Sequence, residues 1–152
     1  MSSNDLSQVR DYIKTRMLVV EPTFSEWTDS LTDIGNIPKT LLDTIYHITL
    51  GPGNSTDQID NHIEEDFTSI VTIFRRAYNN PVEVRDQILQ TANCIRLDII
   101  NPLNIEEYKF ANDGNIESVV SVSITPEEID ASNDNIIKVE IELNVRLFFG
   151  IT

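Results

Sequence analysis

The last third of the chain contains the run KVEIELNVRLFF, in which core-type and polar residues alternate from Lys138 up to a closing pair of phenylalanines. A period of two is the pattern of a β-strand, because successive side chains point to opposite faces. Val139, Ile141, Leu143, Val145, Leu147 and Phe149 therefore share one face, and Lys138, Glu140, Glu142, Asn144, Arg146 and Phe148 share the other. At roughly 3.3 Å per residue such a run reaches about 40 Å, well beyond the usual strand. It requires a sheet with one face on a core and the other in water or in an interface. Such a strand is predicted to pair with Glu117 to Ile124 and project beyond it, or to build a sheet between subunits. Phe148 and Phe149 alternate faces, so Phe148 leaves the core side next to a chain end and is a candidate subunit contact, as is Arg146 on the same face.

The remaining segments supply helices to cover that sheet. Leu6, Val9, Ile13 and Met17 recur at steps of three or four and predict a first helix over residues 4–18, capped by Ser3 or Asn4 and ended by Glu21-Pro22. Residues 23–44 read as a loop with room for one short helix, because turn formers at Asp33, Gly35, Asn36 and Pro38 interrupt the spacing of Phe24, Trp27, Leu31 and Ile34. IYHITL, Ile45 to Leu50, reads as a short strand closed by Gly51-Pro52-Gly53, with GPGNSTD as an exposed loop. FTSIVTIFRR is apolar on both faces, the pattern of a central strand. Asn80, Pro81 and Glu83 then form a capping-box start, and Val84, Ile88, Ala92, Ile95 and Ile99 mark one helical stripe that Asn101-Pro102 stops. After a loop around Asn112, Asp113 and Gly114, ESVVSVSI is a strand with Val120, Val122 and Ile124 on one side. Pro126 to Asn135 reads as an acidic loop. The expected fold is a single α+β domain over residues 1–152: a mixed or antiparallel sheet of about four strands with helices packed on one face.

The residue types set limits on the chemistry open to this chain. The 25 acidic side chains against 11 lysines and arginines give a formal net charge of -14, which repels phosphate backbones and argues against sequence-reading contact with nucleic acid. No stretch of 18 consecutive apolar residues suggests a membrane span, and MSSNDLSQVRDY lacks the basic and apolar regions of a signal peptide. The single cysteine, Cys94, forms no intrachain disulfide and reads as a small buried hydrophobe in the helical stripe. His47, His62 and Cys94 have no metal-ligand spacing, and the acidic stretches lack the alternating oxygens and glycine of a calcium loop. No glycine loop is followed by lysine and serine or threonine, and no serine sits in a nucleophile elbow. No catalytic residue, cofactor or metal is therefore expected. Arg75 and Arg76, at the end of the central strand, are expected to meet acidic groups of the same or a neighbouring subunit, with phosphate as the other possible partner. Phe24 and Trp27 in the linker are further candidate contacts.

The block FTSIVTIFRRAYNNPVEVRDQILQTANCIRLDI, followed by a two-stranded finish ending in KVEIELNVRLFF, resembles the tail terminator proteins of long-tailed bacteriophages and their relatives among neck and tail-completion proteins. The resemblance is one of layout over residues 44–149 and carries no signature motif. It implies a structural subunit of a ring, a homohexamer, that caps the tail tube, stops its polymerisation and forms the head–tail joining interface. The implied partners are further copies of the chain, the tube protein and the head connector or head-completion protein. DNA would pass through the lumen without sequence-specific binding. The implied location is the neck of the virion, after assembly in the host cytoplasm. Another head-completion, tube or neck component, and a small binding domain unrelated to phages, stay open as alternatives.

Overall fold

A computed structural model describes residues 5–29, 31, 37–38, 40–59, 62–77, 80–131 and 134–150. Its described elements are α1 (Asp5–Val20), β1 (Ser25–Glu26), a 3-10 turn (Leu42–Thr44), β2 (Ile45–Ile59), β3 (His62–Arg76), α2 (Pro81–Ile99), α3 (Pro102–Asn112), β4 (Ile116–Ala131) and β5 (Asp134–Gly150). The strands form one mixed sheet in the order β1-β2-β3-β5-β4. The short β1 pairs parallel with β2 at Ile45 and Tyr46, and every other pairing is antiparallel. The chain is thus an α+β domain, with its three described helices packed against the sheet.

Alternation along β5 sets the core. Val139, Ile141, Leu143, Val145 and Leu147 are almost fully buried and meet Val71, Ile73 and Phe67 of β3 and Tyr46 and Ile48 of β2 in one cluster. Val9, Tyr12, Ile13 and Met17 of α1 pack onto it, with Ile88, Ala92, Ile95 and Ile99 of α2 and Ile105 and Tyr108 of α3. The predicted stripes are therefore buried at Val9, Ile13 and Met17 of α1 and at Ile88, Ala92, Ile95 and Ile99 of α2, with Val84 partly buried beside them; the proposed caps at Ser3 and Asn4 and the side chain of Leu6 lie outside the described residues. FTSIVTIFRR is central as expected, since β3 lies between β2 and β5.

Several boundaries depart from the sequence reading, each for a physical reason. Gly51-Pro52-Gly53 does not close β2, which continues to Ile59. A register shift between Leu50 and Gly53 takes up the proline, whose missing N–H then costs no ladder bond, and Gly53 resumes pairing opposite Phe67. A β-carbon built on Gly53 would lie 2.3 Å from Cε1 of Phe67, so the phenylalanine ring occupies the space a side chain would take. Gly53→Ala is expected to displace that ring and cost about 1–3 kcal/mol, measurable by urea unfolding. Of the predicted acidic loop Pro126 to Asn135, the described residues are strand: β4 runs through Pro126 to Ala131, because an edge strand tolerates a residue without an N–H, and β5 starts at Asp134. Strand β5 does not project. It is flanked by β3 and β4 along most of its length.

The stop at Asn101-Pro102 is also a start. Asn101 accepts a hydrogen bond from the Leu103 N–H and Pro102 opens α3, which the sequence reading missed. At α2 the reverse holds: Pro81 is in the first turn, but Asn80 makes no side-chain cap bond, so the predicted capping box is not formed. Cys94 is exposed on α2 instead of buried. In β4 a shift between Ser121 and Ser123 breaks the alternation, so Val120 and Val122 are exposed while Ile124 packs against the core.

Candidate assembly surface

Among the described residues, the face of the sheet turned away from the helices is covered at one end only. There Ile45, Phe74 and Ile136 are buried under Ile37 and Leu42, with Trp27, Leu31 and Ile129 packed against them. Described residues of the segment between β1 and β2 supply this cover. β1 adds to the edge of β2, and the Trp27 N–H donates to the Tyr46 carbonyl at 2.7 Å. His47 Nδ1 donates to the Trp27 carbonyl, also at 2.7 Å.

Beyond that cover no described residue lies over the face, and the strand registers give its layout row by row. His47, Thr72, Glu140 and Thr125 form one row, and Thr49, Ile70, Glu142 and Ser123 the next. Further along, Thr68, Asn144 and Val120 are followed by Asp66, Arg146 and Ser118, and Glu64 stands opposite Phe148. Charges on this face are partly matched. Arg146 donates to both carboxylate oxygens of Asp66 at 2.9 and 3.3 Å, and that bond holds the Asp66 carboxyl below its ordinary value. Lys138 contacts Glu127 and Glu140 at 3.1 and 3.5 Å. Burial lowers its pKa, but the two carboxylates more than offset this and the net shift is upward. Carboxylates from Glu64, Asp66, Glu127, Glu140 and Glu142 outnumber the lysine and arginine, so the face is acidic. Val120 and Val122, at 55% and 56% exposure, line its outer margin.

The six residues singled out from the sequence are spread over the molecule. Phe148, 38% exposed, and Arg146 lie together at the uncovered end of the open face. The Phe148 ring stacks on His62 with centroids 4.9 Å apart and an interplanar angle of 3°. Trp27 and Arg76 lie at the covered end. The backbone N–H of Arg76 donates to Asp43 Oδ1 at 2.8 Å and its guanidinium is 3.7 Å from Oδ2, so this arginine meets an acidic group of its own chain. Phe24 packs against the main core. Arg75 stands opposite Ile137 on the helical side, with Nε enclosed and unbonded. Sequence reasoning missed the exposure of Val120 and Val122, because alternation alone places them with Ile124 and gives no sign of the bulge.

On the helical side the prominent polar cluster is structural. Arg16 grips Asp98 through two hydrogen bonds of 2.7 and 3.0 Å, and the amide of Asn104 reaches the Asp98 backbone carbonyl at 2.9 Å. The Tyr12 hydroxyl donates to the Ile99 carbonyl and the Tyr108 hydroxyl to Asp11 Oδ2, with the two rings edge to face 5.4 Å apart. Burial raises both phenol pKa values. Among the described residues no three His, Cys, Asp or Glu side chains converge as a metal cluster. Compared with known proteins, the chain matches no protein-family model and no curated protein.

Proposed function

We propose that this chain is the structural subunit of a ring that caps the tail tube of a long-tailed bacteriophage, halts its growth and presents a joining surface to the head. The observation that carries this reading is the open face: four long strands share it, the described helices cover only the other side, and it combines an excess of carboxylates with exposed valines. An antiparallel sheet can keep such a face in water or use it for contact or for lining a passage, and the exposed valines beside the carboxylates favour the latter use. Its negative charge suits a wall past which DNA slides without adhering, because binding a phosphate backbone requires cations to displace counterions. In this reading six copies close the ring, the tube protein meets one rim and the head connector or head-completion protein the other. The chain contributes contacts and no covalent chemistry.

The test is functional. Purified protein is added to growing tail tubes, and tube length and tube ends are followed by electron microscopy. The expected result is arrested growth with one extra ring of density at one end of each tube. Tubes that lengthen at an unchanged rate, with bare ends at saturating protein, would overturn the assignment.

A further inference from the structure

We infer that copies of this chain join edge to edge, with β4 of one copy pairing antiparallel with the free part of β2 in the next. This rests on the ring reading and adds which surfaces close the ring. Strand direction alternates across β2, β3, β5 and β4, so β4 runs opposite to β2. When two sheets lie side by side in the same orientation, the strand that continues the antiparallel pattern beyond β4 is therefore β2 of the neighbour, and the helices of both copies stay on one side. The two edges differ, so the contact is head to tail, the kind that propagates around a ring instead of ending at a pair.

The edges also match in level. Tyr46, where β1 already occupies the edge of β2, lies in the row formed with Ile73, Val139 and Pro126. Pro126 has no N–H to offer, so both edges are obstructed at the same row. Past Trp27, which flanks His47, no described strand covers either edge: residues 48–53 of β2, with Pro52 taken up in the bulge, share their rows with residues 119–124 of β4. Val120 and Val122 are in this stretch. Each edge carries a bulge beside the row of Leu143, one between Leu50 and Gly53 and the other between Ser121 and Ser123. Bulges are the device by which sheets curve.

Charge favours a second copy as the occupant. In a chain of net charge -14, SVVSVSIT on β4 and HITLGPG on β2 contain no acidic or basic side chain apart from His47. Elsewhere two copies would repel, whereas these two stretches meet without a like-charge penalty. The residues on β4 are β-branched or hydroxylated, the types that pair well across strands.

The experiment uses the full chain with the exposed Cys94 replaced, C94S, and cysteines introduced at Thr49→Cys and Ser123→Cys, two positions of one row at opposite edges. A short bismaleimide is applied and the products are resolved on a denaturing gel beside their native mass. The expected result is a ladder ending at the ring's subunit number, while each single-cysteine chain stops at dimer or below. Val122→Asp in the unaltered chain is expected to move the assembly midpoint at least tenfold higher in concentration, with an unchanged far-UV spectrum and melting temperature. Rings that form without the ladder and tolerate Val122→Asp would overturn edge pairing and leave the ring reading standing. A ladder from open chains with no closed species would overturn the ring reading and support edge pairing. A monomer without cross-links would overturn both.

Discussion

Phe74→Ala is expected to destabilise the protein by about 3–5 kcal/mol, the range for removing a fully buried aromatic ring. Phe74 is 1% exposed and sits at the centre of the small cluster on the otherwise open face, against Ile37, Leu42, Ile45 and Ile136. Its loss removes the surface against which Ile37 and Leu42 pack. Asp43, next to Leu42, then no longer has fixed geometry toward Arg76. At about 2–4 °C per kcal/mol for a domain of this size, the melting temperature should fall on the order of 10 °C. Hydrogen exchange should show early opening of the 3-10 turn and of the start of β2. A loss below 1 kcal/mol would mean that the cluster does not anchor this segment.

Asp98→Ala is the second large effect. Arg16 and Asp98 join α1 to the last turn of α2, with side chains only 14% and 20% exposed. The hydrogen bond that Arg16 donates to Asp98 is the main cause of the raised Arg16 pKa, so the guanidinium is held in its charged form. Removing the carboxylate leaves the guanidinium enclosed without its counter-charge. Breaking a fully buried pair costs about 3–5 kcal/mol, and the residual exposure reduces the expected loss to about 2–3 kcal/mol. The double variant Arg16→Met with Asp98→Ala should recover part of it, because no charge is then stranded. A double-mutant cycle by urea unfolding measures the difference. Strict additivity of the two single losses would show that the pair is not coupled.

Local periodicity explains what was legible in the sequence. The alternation of Val139 to Leu147 and the stripe Ile88, Ala92, Ile95, Ile99 record burial directly, so β5, α2, the central place of β3 and the α+β class could all be read. Residues 51–59, 62–66 and 126–131 could not be recognised as strand. Their glycines, prolines and acids have poor strand propensity, and they are extended because β3 and β5 offer partners from elsewhere in the chain. Helix α3 was hidden behind Asn101-Pro102, whose stop signal was read without its start signal. For the assembly surface, alternation put Arg146 and Phe148 on the open face. It could not show that Arg75 turns to the helical side, nor that one bulge exposes both Val120 and Val122. Bulges depend on pairing with a distant strand and leave no local trace.

The most direct test of the ring account is the native mass of the purified chain, by light scattering after size exclusion over a concentration series, with electron-microscope grids of the same fractions. The account predicts one discrete species of six 17.3 kDa chains, seen as rings with a central opening. A protein that stays monomeric at every concentration, and also when mixed with tail tubes whose ends it leaves bare, would contradict it.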